Sequence, residues 1–257
     1  MAKSKVTIEE TYELPSEGKL YENVPAQVKL RAMTTLDEKL RLSSQDSMNI
    51  IPRLIKNCTV EPKDLAVDKL KLFDLHYLLY KLRTVTYGED YKIELRCPYC
   101  GDTTEVTVNL DEIPVNKVPD DFVEPFEIGP LPINGDVIGC RILDSTDVEY
   151  IRRESKRILS KYPGYVGDPE MILKWSKRIV TINGEKVDQA LIRKYIEELH
   201  ARDNRFLESK YDKCTEDFGL DLSMIHSCDS CGRDIEFTLP ITEEFFRPEY
   251  WYWWCSL

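Results

Sequence analysis

Cys97-Pro98-Tyr99-Cys100-Gly101 and Cys228-Asp229-Ser230-Cys231-Gly232 are one turn written twice. A two-residue spacer lets both thiolates of a Cys-x-x-Cys knuckle face a single ion, and Gly101 and Gly232 permit the tight backbone that aims amides at sulfur. Each turn sits between strand-like runs, Tyr91 to Leu95 and Thr103 to Leu110 around the first, Leu220 to Ile225 and Asp234 to Leu239 around the second. Two such knuckles make a zinc ribbon, with Cys97, Cys100, Cys228 and Cys231 as ligands of a structural Zn2+. Four thiolates leave no open coordination position, so this ion would not be catalytic. A redox dithiol fits less well, because a reactive Cys-x-x-Cys normally opens a helix and here strands follow both pairs.

Residues 101–227 separate the knuckles, whereas a compact ribbon has roughly 15 to 20 residues between its pairs. An internal duplication accounts for the gap. Arg31-x-Met33-Thr34-Thr35 resembles Arg141-x-Leu143-Asp144-Ser145 at an offset of 110 (141 minus 31). Asp74, Tyr77 and Leu78 match Asp203, Phe206 and Leu207 at 129 (203 minus 74), and the knuckles match at 131 (228 minus 97). Offsets that drift by only two residues at the end fit a repeat with insertions, although matched positions at helix ends also arise by chance. On the repeat reading each half contributes one knuckle, and the ion closes a long loop of the unfolded chain. The resulting fold class is α+β: two pseudo-repeated α/β halves joined by a four-cysteine zinc ribbon of short antiparallel strands.

Working outward, residues 1–25 read as an extended N-terminal arm, 26–113 as the first repeat, 114–135 as a Pro-rich linker, 136–240 as the second repeat and 241–257 as an aromatic tail. In the first repeat, Gln27 to Met33 predicts a strand, and Thr35 with Glu38 a capping box. Pro52 and Pro62 interrupt the chain after that, and leucines at helical spacing predict a helix from Asp64 to Leu82. In the second, Asp136 to Leu143 is strand-like and Thr146 with Glu149 caps a helix through Lys161. A further helix starts near Pro169, Val180 to Ile182 leads into an Asn183-Gly184 turn, and Asp188 to Tyr211 is again helical.

The 257 residues carry 46 acidic and 35 basic side chains, a net charge of −11, which disfavours a whole-chain nucleic-acid footprint. The knuckles themselves lie among Asp102, Glu105, Asp111, Glu112, Asp229, Asp234 and Glu236, which repel phosphate. At 42% hydrophobic residues the chain can bury one or two domain cores, yet no run approaches the roughly 20 apolar residues that span a bilayer. The N-terminus MAKSKVTIEE lacks a signal-peptide core, so a reducing cytoplasm is expected. Cys58, Cys140, Cys214 and Cys255 have no ligand spacing and read as packed residues. His76 reads as a satisfied helix histidine, His200 as part of a solvated face, and His226 as a neighbour of the second knuckle. No phosphate loop, nucleophile elbow or His-Glu-x-x-His run occurs, which argues against an enzyme and against a small-molecule substrate. The tail concentrates Tyr250, Trp251, Tyr252, Trp253 and Trp254, which either pack over the chain's own ribbon or anchor a neighbouring subunit.

Several blocks resemble the baseplate hub and tail-assembly proteins of contractile-tailed bacteriophages of the T-even type. They are KLRAMTTLDEKL from Lys29 to Leu40, Asp74 to Arg83 followed by Thr86-Tyr87-Gly88, and the first knuckle. In the second half they are IVTINGE from Ile179 to Glu185, Asp203 to Leu207, and the second knuckle. The resemblance implies a non-enzymatic protein of the hub or wedge, or one that acts only during assembly, with other baseplate or tail proteins as partners. It also implies residence in the host cytoplasm during assembly and in the virion baseplate if retained. A transient tail-assembly chaperone and a zinc-ribbon nucleic-acid adaptor are the alternatives.

Overall fold

A computed structural model of the chain describes residues 7–42, 47–215, 218–241 and 243–246. The first half runs β1 (Glu9–Glu13), β2 (Gln27–Arg31), α1 (Thr35–Leu42), α2 (Ser47–Cys58), β3 (Thr59–Glu61), α3 (Leu72–Tyr87), β4 (Asp90–Arg96) and β5 (Thr103–Asn109). Next come β6 (Val115–Asn116), β7 (Phe126–Ile128), β8 (Ile138–Cys140), α4 (Ser145–Lys161), α5 (Pro169–Arg178) and β9 (Ile179–Ile182). The chain continues with β10 (Glu185–Lys186), α6 (Gln189–Glu198), α7 (Ala201–Thr215), β11 (Gly219–Leu220), β12 (Ser223–Ser227) and β13 (Asp234–Thr238). Mixed α and β structure is thus as the sequence predicts. The sheets are small and antiparallel: β1-β2-β3, β10-β9-β8-β7, and the pairs β4-β5, β12-β13 and β11-β6.

The expected arm holds the first strand of the fold. β1 pairs with β2 from Glu9↔Arg31 to Glu13↔Gln27, and Tyr12, Leu14 and Ser16 are buried. The Ser16 amide donates to Asp74 Oδ1 at 3.1 Å, and the Tyr21 hydroxyl donates to Asp74 Oδ2 at 2.7 Å while accepting the Lys71 amide. Two alternating apolar residues are too short a signal to separate from a polar arm. The expected linker conceals a strand in the same way: β7 pairs with β8 from Phe126↔Cys140 to Ile128↔Ile138, and Val118, Ile128 and Leu131 are buried. Its prolines mark the turns around that strand.

The second strand of each hairpin bulges, β2 against β3 between Lys29 and Leu30, β8 against β9 between Gly139 and Cys140. Just beyond each bulge an arginine reaches six residues forward. Arg31 Nη1 lies 2.7 Å from Asp37 Oδ2, and Arg141 Nη2 lies 2.7 Å from Asp147 Oδ2. These buried carboxylates also accept the amides of Thr34 at 2.8 Å and Asp144 at 3.2 Å. The helix starts are therefore capped one or two residues away from the expected Thr35/Glu38 and Thr146/Glu149 pairs; at α4 the reciprocal box is Asp144 with Asp147. The arginines decide the difference, because only the aspartates sit within reach of both guanidinium and amide.

Three helix expectations shift. α3 begins at Leu72 rather than Asp64, because a 3-10 turn (Val67–Lys69) precedes it while Leu65, Val67 and Leu70 still reach the core. Pro52 lies inside α2, where burial of Ile51, Leu54, Ile55 and Cys58 outweighs the lost helix bond. The predicted helix from Asp188 to Tyr211 is two helices, α6 and α7, broken at Leu199-His200, where His200 Nδ1 accepts the Arg202 amide at 3.1 Å.

One core gathers α2, α3 and the β1-β2-β3 sheet; another gathers Trp175, Ile192, Ile196, Leu207 and Tyr211 against β8 and β9. The expected tail begins inside the first core. Phe245 is fully buried with its ring 4.9 Å from that of Tyr80 and 5.1 Å from that of Tyr91, and its carbonyl accepts from Arg83 Nε at 3.3 Å. Tyr250, Trp251, Tyr252, Trp253 and Trp254 lie outside the described residues. Among the described residues no helix is long and apolar enough to cross a membrane.

Candidate metal centre

Two hairpins, β4-β5 and β12-β13, carry the knuckles at their turns, with Arg96↔Thr103 and Ser227↔Asp234 as the last ladder pairs before each. The local bonding is the same in both. Cys97 N–H donates to Asp102 O at 2.8 Å and Cys228 N–H to Arg233 O at 2.9 Å; Gly101 N–H donates to Cys97 O at 3.0 Å and Gly232 N–H to Cys228 O at 2.8 Å. Gly101 and Gly232 have φ of 79° and 67°. A Cβ at either would meet nothing within 4 Å, so the left-handed backbone, and not space, demands glycine.

The hairpins bring Cys97, Cys100, Cys228 and Cys231 together, with all four sulfurs within 4.8 Å of one another. The close pairs run between knuckles: Cys97 to Cys231 and Cys100 to Cys228, each 3.7 Å. A disulfide needs about 2.05 Å. In a tetrahedron with metal–sulfur bonds of about 2.3 Å the sulfurs stand about 3.8 Å apart, so this arrangement can hold a metal ion. Cys97 and Cys228 are buried beside Ile235, while Cys100 and Cys231 are exposed. Ser230 Oγ also donates to the Asp102 carboxylate, a direct bridge from one knuckle to the other.

Hydrogen bonds from the backbone of Cys100 and Tyr99 pull the Cys97 thiol down to about 6. At Cys100 the backbone of Asp102 acts in the same direction, but the neighbouring thiols and burial overcome it and push this thiol up to about 12. Four thiols at this spacing cannot all ionise without a cation among them. The donor set therefore suits a thiophilic metal, whose charge would release the remaining protons.

A family model described as T4 bacteriophage base plate protein matches residues 5–247. The chain belongs to that family. No curated protein and no solved structure matches it. The baseplate match runs across both knuckles and both cores and stops short of Tyr250, so the aromatic run lies beyond it.

The remaining cysteines of this baseplate protein stand apart from the cluster. Burial pushes the Cys58 and Cys140 thiols up to about 12, in keeping with packed residues. Cys214 is exposed, contrary to the expectation that it packs, and Cys255 lies outside the described residues. His226 sits on β12 outside the four-sulfur group. His76 is half-buried and burial lowers its pKa; His200 is exposed and caps α7. Sequence reasoning missed the Ser230–Asp102 bridge and the Arg233 guanidinium 5.1 Å over the Tyr99 ring. No local pattern marks either pair, since each joins knuckles more than a hundred residues apart in the chain.

Proposed function

We propose that this baseplate protein is a non-catalytic building block of a contractile phage tail, placed in the hub or wedge and stapled by a structural Zn2+ on Cys97, Cys100, Cys228 and Cys231. The observation that carries the reading is the family match from residue 5 to 247, which runs unbroken through both knuckles. Sulfur separations of 3.7 Å support zinc, and a tetrathiolate site with no open position supports a structural role.

An internal duplication supplies the two halves, residues 26–113 and 136–240, each with one knuckle. Matching bulges, the Arg31–Asp37 and Arg141–Asp147 pairs, and the buried acceptors Asp74 and Asp203 favour this origin. Asp203 accepts the amides of Ile133 and Asn134, much as Asp74 accepts that of Ser16. Partners are other baseplate or tail proteins, met in the host cytoplasm and kept in the virion. Tyr250, Trp251, Tyr252, Trp253 and Trp254 are the docking anchors, supported by the contact area that clustered aromatic residues offer. Nucleic acid and small molecules are not its ligands.

Elemental analysis of the purified chain tests the staple, with one zinc per chain expected and a melting curve lowered by chelation. Quantitative mass spectrometry of purified particles tests the role. A fixed copy number per particle supports a structural component, and presence in infected lysate with absence from particles overturns it in favour of a transient assembly factor.

A further inference from the structure

The corner between α4 and α5 carries exposed apolar residues where a surface turn is ordinarily polar. Within residues 159–166, Leu159 is 47% exposed, Tyr162 52%, Tyr165 37% and Val166 94%. Basic side chains frame them. Residues 145–178 hold eight Lys/Arg against five Asp/Glu, in a chain whose net charge is −11. Arg153, Lys156 and Leu159 recur every third residue along one exposed face of α4, and Lys161 is exposed beside the turn, while Lys174 on α5 pairs with Glu170 at 3.8 Å.

The complementary pattern lies on the β12-β13 hairpin. Ile225 is 69% exposed and stands directly across the ladder from Glu236, with Asp234 next along the same exposed face and Asp229 at the tip. Residues 219–239 hold four acidic side chains against one basic. One surface is thus an apolar centre with a basic rim, the other an apolar centre with an acidic rim. That is the anatomy of a specific interface with matched potentials.

We propose that the α4–α5 corner docks onto the acidic β12-β13 hairpin of a second copy of this chain, head to tail. The two surfaces share no residue, so each contact leaves one surface free on either copy. A heterologous contact of this kind closes into a ring or continues as an open row. The inference goes beyond the baseplate reading and does not depend on which metal the cysteines hold.

Sedimentation velocity across a concentration series, at low and high salt, tests it. One variant changes the corner (Lys156→Glu, Lys161→Glu, Val166→Asp); the other changes the hairpin (Ile225→Lys, Glu236→Lys). All five positions are exposed, so wild-type melting and metal content serve as the folding control. The wild type is expected to self-associate with an affinity that falls about tenfold or more as salt rises, and each variant alone is expected to be monomeric. Mixed together, the variants associate one to one, because one keeps the acidic hairpin and the other the basic corner, and the two sign-reversed surfaces can extend that pair into an alternating row. A wild type that stays monomeric throughout, a variant that associates like the wild type, or a mixture that stays monomeric overturns the proposal.

Discussion

The Arg31 guanidinium and the Asp37 carboxylate meet at 2.7 Å across the turn from β2 into α1, with Asp37 buried and Arg31 partly open to solvent. Arg141 and Asp147 do the same between β8 and α4. In each case one carboxylate neutralises an arginine and caps a helix, so strand and helix are fixed to one another by a single side chain. Solvent at the arginine weakens the charge pair, whereas the buried acceptor has no water to replace its lost partners.

Asp37→Asn should therefore destabilise the chain by about 1 to 3 kcal/mol in urea unfolding, since Arg31 loses its counter-charge and an amide N–H donor replaces one of the two oxygens that accept from Arg31 and Thr34. The effect should depend on pH. Burial opposes ionisation of Asp37, but hydrogen bonds from Arg31 and Thr34 outweigh it and hold the carboxyl below its ordinary value. A folded pKa below the unfolded one contributes stability that is present above the unfolded value of about 3.9 and is lost as pH falls through the folded value. The difference between wild type and variant should shrink on acidification below about pH 4. A constant difference down to the acid unfolding limit would refute this role.

Cys97→Ser and Cys228→Ser remove one ligand from opposite knuckles, and both should abolish metal binding. Each should lower stability by on the order of 4 to 5 kcal/mol, the scale of releasing a loop of about a hundred residues. Calorimetry with metal analysis on the same samples checks it. A variant that keeps both metal and melting temperature would show that the four sulfurs do not share an ion.

Gly139 lies where β8 bulges, and a Cβ there would stand 2.1 Å from Thr181 Oγ1 on β9. Gly139→Ala should cost about 1 to 3 kcal/mol by forcing the strands apart. Thr181→Ala removes the clashing oxygen, so the double variant should recover most of the loss. If chemical denaturation shows additive losses in the double variant, the contact is not the cause.

The knuckles were legible because Cys-x-x-Cys-Gly encodes its geometry locally, in spacing and in a glycine that must adopt positive φ. α3 was legible through its leucine period, although Leu65 and Leu70, buried on either side of a 3-10 turn, drew its start too early. β1 and β7 were not legible, since Tyr12/Leu14 and Phe126/Ile128 are patterns two residues wide and their pairing partners lie across long loops. The matched positions of Asp74 and Asp203 were visible in sequence, but not their work. Each accepts backbone amides from loops 58 to 70 residues away, and no local periodicity reports a contact at that separation.

The aromatic C-terminal stretch divides at Phe246. Phe245 is packed between Tyr80 and Tyr91, so Phe245→Ala should cost about 3 to 5 kcal/mol and lower the melting temperature of the isolated chain. Deleting residues 250–257 removes Tyr250, Trp251, Tyr252, Trp253 and Trp254, all beyond the family match, and should leave monomer melting near the wild-type value. Incorporation into baseplates should fall instead, as measured by co-purification with assembled tails. The contrast between the two variants separates folding from docking. If the deletion costs as much melting temperature as Phe245→Ala, the aromatic run covers the chain's own core and the anchor for a neighbouring subunit must lie elsewhere on the surface.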